Sequence, residues 1–447
     1  MAEIDYNTLA TKIVADAQKA GAEHSEVCLV YGYQYSIRLE ESSVVNASRK
    51  SLTGLGLRVL VDKAVGLGSS SDLKPSVLSS VVKDAVSLAR ASTPNPDNVG
   101  FPEKPKNYPT VKGLSDKSLL SLGSDELVEL AITGLDASLA VNSELNVNGM
   151  VQLTIATKVI ANSNGIDVSS DGSYMQMYLN NKIAKDDDVG VGFDYAFGRT
   201  LKEINPTSLG ATAAEKALKM LGGKKITTGD YPFLLDQRAA RNTIDGIISR
   251  GVSAYNIVQG TAYFNDRLGE EIASDVLTVV DNPHEPGGYG SRFFDDEGSP
   301  TQRTVIVDKG VLLSYLSDFY TANKLDIPNT GSAAKQGYAG VPHPDTSLIQ
   351  IAAGDASKDE LFAELGTGLY LENPLFAMGG TNISQQVDVG FWVEKGEIQH
   401  PVKNTMLGTT VYDVLKNVKL VGKDLLIEGG MQSPMLLFGP TKFSSGR

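Results

Sequence analysis

Apolar positions along the chain recur at helical spacing in some stretches and fall into short strand-like runs in others. Leu9, Ile13, Val14 and Ala17 share one helical face across residues 5–20, and Gly21 supplies the stop. Residues 26–40 and 54–62 read as strands, and a turn at Asp62–Lys63 leads into another at 64–70. Pro75 suits a first helical turn, and Val77, Val81, Ala85 and Leu88 carry that helix to residue 91. Five prolines between residues 92 and 112 predict an extended loop. Helix returns at 125–139, followed by strands at 145–161, 167–182 and 189–199 with turns such as Asn162–Ser163–Asn164–Gly165. Asn205 caps a helix with Pro206 in its first turn, which ends before Gly222–Gly223.

The second half opens on residues 231–251, YPFLLDQRAARNTIDGIISRG. Its apolar start, Phe233–Leu234–Leu235, gives way to Ala239, Ala240, Ile244, Ile247 and Ile248 at three- and four-residue steps. The pattern is a short strand running into a helix. Strands are predicted at 276–280, 303–307, 311–316, 369–372, 383–394, 397–402, 418–427 and 435–438, with helices at 318–325 and 409–416. Gly/Pro-rich loops span 283–291 and 326–346, and loops of that length are often binding segments. The fold class is therefore α+β, in two domains, 1–222 and 223–447, each with largely antiparallel sheet and packed helices.

Length agrees, since 447 residues exceed what one core usually serves. A net charge of −13 would repel a phosphate backbone, and the chain has basic doublets rather than a basic patch, so direct nucleic-acid binding is not expected. Cys28 is the single cysteine and lies in an apolar run, which fits a buried structural thiol in a reducing compartment. No stretch approaches the roughly 18 apolar residues of a membrane span, and the N-terminus has no signal-like core. A cytoplasmic protein without membrane contact is expected.

Most catalytic chemistries find no support. Asp186–Asp187–Asp188 stacks its acids where a calcium loop would alternate them, so it reads as a solvated turn. The histidines are His24, His284, His343 and His400, and the closest pair is 57 residues apart. His284 and His343 neighbour prolines and read as exposed loop residues. Ser332 and Lys335 have Ser-x-x-Lys spacing, but it recurs at Ser71–Lys74 and Ser80–Lys83, which marks it as chance. Gly54–Leu55–Gly56 and Gly66–Leu67–Gly68 lack the third glycine of a dinucleotide loop and suit close strand crossings. Asp295–Asp296–Glu297 is the most suggestive acidic cluster. Neighbouring carboxylates raise one another's pKa, yet successive residues of an extended segment point opposite ways. Structure outweighs catalysis there, with Arg292 and Arg303 as expected ion-pair partners.

Residues 294–303, Phe-Asp-Asp-Glu-Gly-Ser-Pro-Thr-Gln-Arg, followed by Gly310–Val311–Leu312, resemble the TldD/PmbA family, once called modulators of DNA gyrase. Residues 56–59 and 66–73 look like its N-terminal β segment. Thr330–Gly331, Gly368–Leu369–Tyr370, residues 390–396 and Pro401–Val402 look like its C-terminal landmarks, so the likeness spans nearly the whole chain.

The resemblance implies a two-subunit peptidase acting on unfolded peptides. A TldD-type subunit carries His-Glu-x-x-x-His after a short apolar strand, plus a thiolate near the C-terminus. In this chain Asp236, Gln237 and Arg241 stand at those three places, and residues 428–433 contain no cysteine. Arg241 is permanently charged and would repel a zinc ion. The resemblance thus points to a PmbA/TldE-type subunit, a noncatalytic pseudo-enzyme with no cofactor of its own, zinc being expected in a TldD-type partner. Asp295, Asp296 and Glu297 would contact the peptide or the partner, which is that homologous subunit or a second copy. Two other readings stay open: a standalone hydrolase using Asp236 with the acidic loop as metal ligands, and a homodimeric scaffold.

Overall fold

The first half is built on strands much longer than the usual five or six residues. In the computed structural model, which describes residues 5–372, 375–376 and 380–446, these are β1 (His24–Glu40), β2 (Ser43–Ser51), β3 (Gly54–Val61), β4 (Ala64–Ser70), β5 (Asn146–Asn162), β6 (Asp167–Lys185) and β7 (Asp188–Gly198). They form one seven-stranded antiparallel sheet in the order β4-β3-β1-β5-β6-β7, with β2 paired to the far end of β1. At about 3.3 Å per residue, a 17-residue strand spans roughly 55 Å, too long for one helix pair to cover.

Two helical layers share that face. α1 (Tyr6–Lys19) and α2 (Pro75–Ala91) bury Ile13, Val14 and Val82 against Leu29, Leu57 and Val159 at one end. After the single turn α3 (Lys117–Leu120), α4 (Ser124–Val141) and α5 (Pro206–Lys219) bury Leu127, Leu135 and Leu209 against Leu153, Met177 and Leu179 at the other. Close approach requires glycine beneath the helices. A Cβ on Gly66 would stand 2.0 Å from the Ala85 carbonyl oxygen, and one on Gly192 would stand 2.1 Å from that of Ala213.

The second half begins with β8 (Gly229–Leu235), inside an eight-stranded sheet between Leu436–Ser445, antiparallel, and Gly368–Leu371, parallel. Phe233 stacks on Phe438 with ring centroids 4.5 Å apart. α6 (Gln237–Val252) follows directly and buries Ala239, Ala240, Ile244, Ile247 and Ile248, the residues whose spacing predicts it. These pack in one cluster with Ile306, Leu312 and Ile351 of a six-stranded sheet and with Phe233 and Leu369 of the eight-stranded one. The molecule is mixed α+β with mostly antiparallel sheets.

Several predicted strands are drawn differently. The predicted strand 383–394 is two strands, Asn382–Gln386 and Gly390–Glu394, because the chain changes partner: Gln386 pairs with Met406, whereas Gly390 pairs with Leu371. Residues 418–427 likewise divide, Val418–Val421 pairing in the eight-stranded sheet and Leu426–Glu428 in the six-stranded one. β2 and the strand Thr405–Thr410 escape prediction; nearly all of β2 is exposed, so it carries no apolar signal. The 326–346 loop contains a short pair, Ala333–Ala334 with His343–Pro344.

Candidate functional site

The start of α6 is positioned from both sides. Asp236 donates its backbone N–H to the Leu371 carbonyl, and its carboxylate caps the helix by accepting from Ala239 N–H at 2.6 Å. Burial, reinforced by repulsion from Glu372, pushes the Asp236 carboxyl up to about 7, against the pull of Lys216, Arg238 and the cap bond. Gln237 opens the helix, half-buried. Arg238 and Arg241 lie three residues apart and therefore project from one helical face.

Both guanidiniums converge on Glu428. Arg238 Nη2 donates to its Oε1 at 2.5 Å, and Arg241 Nη1 to its Oε2 at 3.3 Å. Arg238 also pairs with Asp194 of β7, giving two cations and two carboxylates in one cluster. Arg241 is 2% exposed, donates to Tyr195 Oη at 2.7 Å and lies 5.7 Å from the Phe197 ring centroid. Arg238 stands 4.6 Å from that of Tyr195. The C-terminal strand ending at Glu428 is thus tied to α6 by charge-assisted bonds.

A zinc ion does not fit this arrangement. It needs converging lone pairs from His, Cys, Asp or Glu, whereas an arginine offers donors and no acceptor. The second position holds Arg241, and both oxygens of Glu428 already accept from guanidinium groups. Among the described residues no group of three or more His, Cys, Asp or Glu stands where it could hold a metal. Beside the cluster a cleft of about 750 Å³ is lined by Asp236, Arg238, Lys216, Glu372 and Asp388.

The acidic segment sits elsewhere, and its expected ion-pair partners need correction. Asp295, Asp296 and Glu297 are 0%, 4% and 1% exposed; Asp296 and Glu297 each reach the wall of a cavity, and Asp295 is enclosed. Their ion-pair partners are not Arg292 and Arg303 but residues of the first half. Glu297 accepts from Arg58 Nη2 at 2.7 Å and from Phe319 N–H at 2.8 Å. Asp296 accepts from Lys158 Nζ at 2.5 Å and from Lys335 N–H at 2.7 Å. Asp295 accepts from the backbone N–H groups of Glu297, Ser299 and Ala333, shaping its own turn. Arg292 instead donates to the Ala333 carbonyl and Ser347 Oγ.

Behind these, Arg58 Nη2 also reaches Glu26 at 3.0 Å, and Lys335 Nζ reaches Glu26 at 2.5 Å. Burial pushes Glu297 up to about 7; Arg58 opposes this, and Asp318 and Glu26 add to it. Burial and the Glu297 charge raise Asp295 well above the carboxylate range. Burial opposes ionisation of Asp296 too, yet Lys158 and Arg292 hold it below the usual range. Asp236, Asp296 and Glu297 face three different cavities, so the ligand set of a standalone hydrolase is not brought together.

The remaining candidates are structural. Burial opposes the charge on Lys335, but the Glu26 carboxylate paired with it keeps its pKa above the usual lysine value, which denies Ser332 a neutral base. Cys28 is buried, and burial pushes its thiol up. His284 is half-buried rather than exposed, with Nε2 3.1 Å from both Thr301 O and Oγ1. His343 is exposed, its ring tilted 40° against that of Tyr255 with centroids 4.0 Å apart. Asp186 turns the β6–β7 hairpin at φ 52°, and Asp188 pairs with Lys403. Sequence reasoning missed Glu26, Arg58, Lys158, Arg238 and Glu428. Two signals existed: Glu26 heads an apolar run, and Arg238 lies one helical turn before Arg241.

Residues 25–89, 117–221 and 228–445 match the family models for domain 1, the central domain and the C-terminal domain of the PmbA/TldA metallopeptidases. The chain is 27% identical to the metalloprotease PmbA of Escherichia coli O157:H7, over 96% of this chain and 94% of that protein. It is also 27% identical to a metalloprotease PmbA homolog of Haemophilus influenzae, over 98% and 94% respectively. In structure it resembles TldE of Thermococcus kodakarensis, with a TM-score of 0.89, 21% identity and coverage of 98% of this chain and 100% of that one. That likeness concerns the fold. With all three of its domains matched in order along one chain, the protein belongs to the PmbA/TldD metallopeptidase family.

Proposed function

We propose that this chain is the noncatalytic, PmbA/TldE-type subunit of a two-chain metallopeptidase acting on unfolded peptides, with zinc carried by a TldD-type homologue. The observation that supports it is the Arg238–Arg241–Glu428 cluster, in which fixed positive charge and saturated carboxylate oxygens stand where a hydrolytic relative would need ligands. Related subunits that share a fold pair readily about a pseudo-twofold axis. The subunit then supplies wall and binding surface, and the partner supplies the activated water.

The test is co-expression with a homologue carrying His-Glu-x-x-x-His from the same genome. The two chains are expected to co-purify, and the pair to cleave an unfolded peptide in a chelator-sensitive way. Chelator-sensitive cleavage by this chain purified alone would overturn the reading.

A further inference from the structure

Where the two halves meet, a cleft of about 640 Å³ opens between the sheet and residues 289–294. Thr154, Ala156 and Lys158 of β5 and Ser170, Gly172 and Tyr174 of β6 form one wall. They alternate with Leu153, Val159 and Met175, which are buried under the helical layers, so this wall is the opposite face of the sheet.

The cleft is cationic within a chain of net charge −13. Lys50, Lys158, Arg199, Arg292 and Lys335 line it against Asp171 and Asp296. Two of these cations are committed, Lys158 to Asp296 and Lys335 to Glu26. Arg199 is 7% exposed and places its N–H groups on the carbonyls of Leu114, Ser173, Gly288, Tyr289 and Ser291, so among the described residues its charge has no ion-paired carboxylate. Arg292, half-buried, uses Nε and one N–H of Nη2 on Ser347 and one of Nη1 on Ala333. A guanidinium has five N–H donors, so among the described residues one on each Nη remains. Burial pushes the Asp295 carboxyl behind it up, and the Arg292 charge also acts on Asp296 and Asp281. Lys50 is exposed at the rim.

Rings complete the lining. Tyr174 and Tyr289 meet edge-on at 5.1 Å, and Phe293 and Tyr338 also line the cleft. The chemistry this combination recognises is one carboxylate next to an apolar or aromatic side chain. Two N–H groups on adjacent guanidinium nitrogens match one carboxylate. A phosphate site would add a helix N-terminus or a nest of free N–H groups, and no helix starts among the lining residues.

We propose that this cleft binds the C-terminal carboxylate of an extended peptide at Arg292 and Lys50, with the last side chain against Tyr174 and Tyr289. The proposal rests on the peptide-handling role above and adds to it which end of the peptide this subunit holds.

The experiment uses the purified full chain and one unstructured peptide ending in Phe, labelled at its N-terminus, made as free acid and as C-terminal amide. By fluorescence anisotropy the acid is expected to bind about tenfold more tightly than the amide, the loss expected from a charge-assisted pair. Arg292→Gln is expected to abolish that preference. Lys50→Glu, at an exposed position that leaves folding intact, is expected to weaken the acid and leave the amide unchanged; it decides the matter where Arg292→Gln does not fold. Equal affinity for acid and amide, binding of neither, or a preference that survives both variants would overturn the site. Displacement of the acid by inorganic phosphate at concentrations where acetate is inert would assign the cleft to phosphate and overturn it as well. Co-purification and cleavage with the zinc-bearing homologue are read separately. A lost acid preference beside intact cleavage by the pair removes this site alone.

Discussion

Glu428 accepts from two guanidiniums at once, and that shared acceptor makes it the residue on which the start of α6 depends. Glu428→Ala leaves Arg238 paired with Asp194 alone and Arg241 with only the neutral acceptors Tyr195 Oη and Asn242 Oδ1. The half-buried surplus charge is expected to cost about 3 kcal/mol in a urea melt. Adding Arg241→Met should recover part of the loss, and a double-mutant cycle measures the coupling. Asp236 yields a second test. Its carboxyl is pushed up to about 7 when folded, whereas an unfolded carboxyl titrates near 4. The folded state therefore holds the extra proton between those values, and the stability linked to Asp236 falls as pH rises from about 4 to 7 and is flat above. Glu372, Lys216 and Arg238 are the charges that face it. Asp236→Asn keeps a capping side chain and removes the titration. The variant is expected to exceed wild type at pH 8 by on the order of 2 kcal/mol and to lose that advantage near pH 5.

At the scale of elements, β8 and α6 form one unit: a buried strand end and a helix whose apolar face continues its core. Phe233→Ala removes a fully buried ring stacked on Phe438 and is expected to cost about 3–5 kcal/mol by denaturant titration. The unit was legible in the sequence because burial sets a period: the residues at three- and four-residue steps are the buried ones. β2 was not legible, since its exposed polar residues take their conformation from hydrogen bonding to β1 rather than from burial. The run 383–394 misled for the converse reason. Its strand-like alternation continues through Val387, Asp388 and Val389, while its pairing partner changes. Periodicity reports which side of an element is buried and carries no information about which strand lies beside it.

Across the whole molecule, the two halves are joined by buried charge. Glu26, Arg58 and Lys158 from the first sheet meet Asp296, Glu297 and Lys335 from the second half. Arg58 is the central cation, held between Glu26 and Glu297. Arg58→Gln leaves Glu297 without a cation and is expected to destabilise by about 3–5 kcal/mol. Because burial already pushes Glu297 up to about 7, protonation relieves the unpaired charge as pH falls. The loss is therefore expected to be smaller at pH 5.5 than at pH 8, as urea melts at the two values would show. An equal loss at both would separate the effect from Glu297.

What the sequence determined by itself was chemical identity and local period. An arginine at 241 cannot ligate a metal in any fold, and the apolar spacing of residues 239–248 makes a helix wherever it packs. What only the tertiary structure decided was the company each charge keeps. Arg58 meets Glu297 across 239 positions and Lys335 meets Glu26 across 309. Asp296 and Glu297, whose sequence neighbours Arg292 and Arg303 are the expected partners, pair instead with Lys158 and Arg58 of the first sheet. Charges find buried partners through the packing of whole sheets, and nothing in a local window encodes which distant residue that packing brings near.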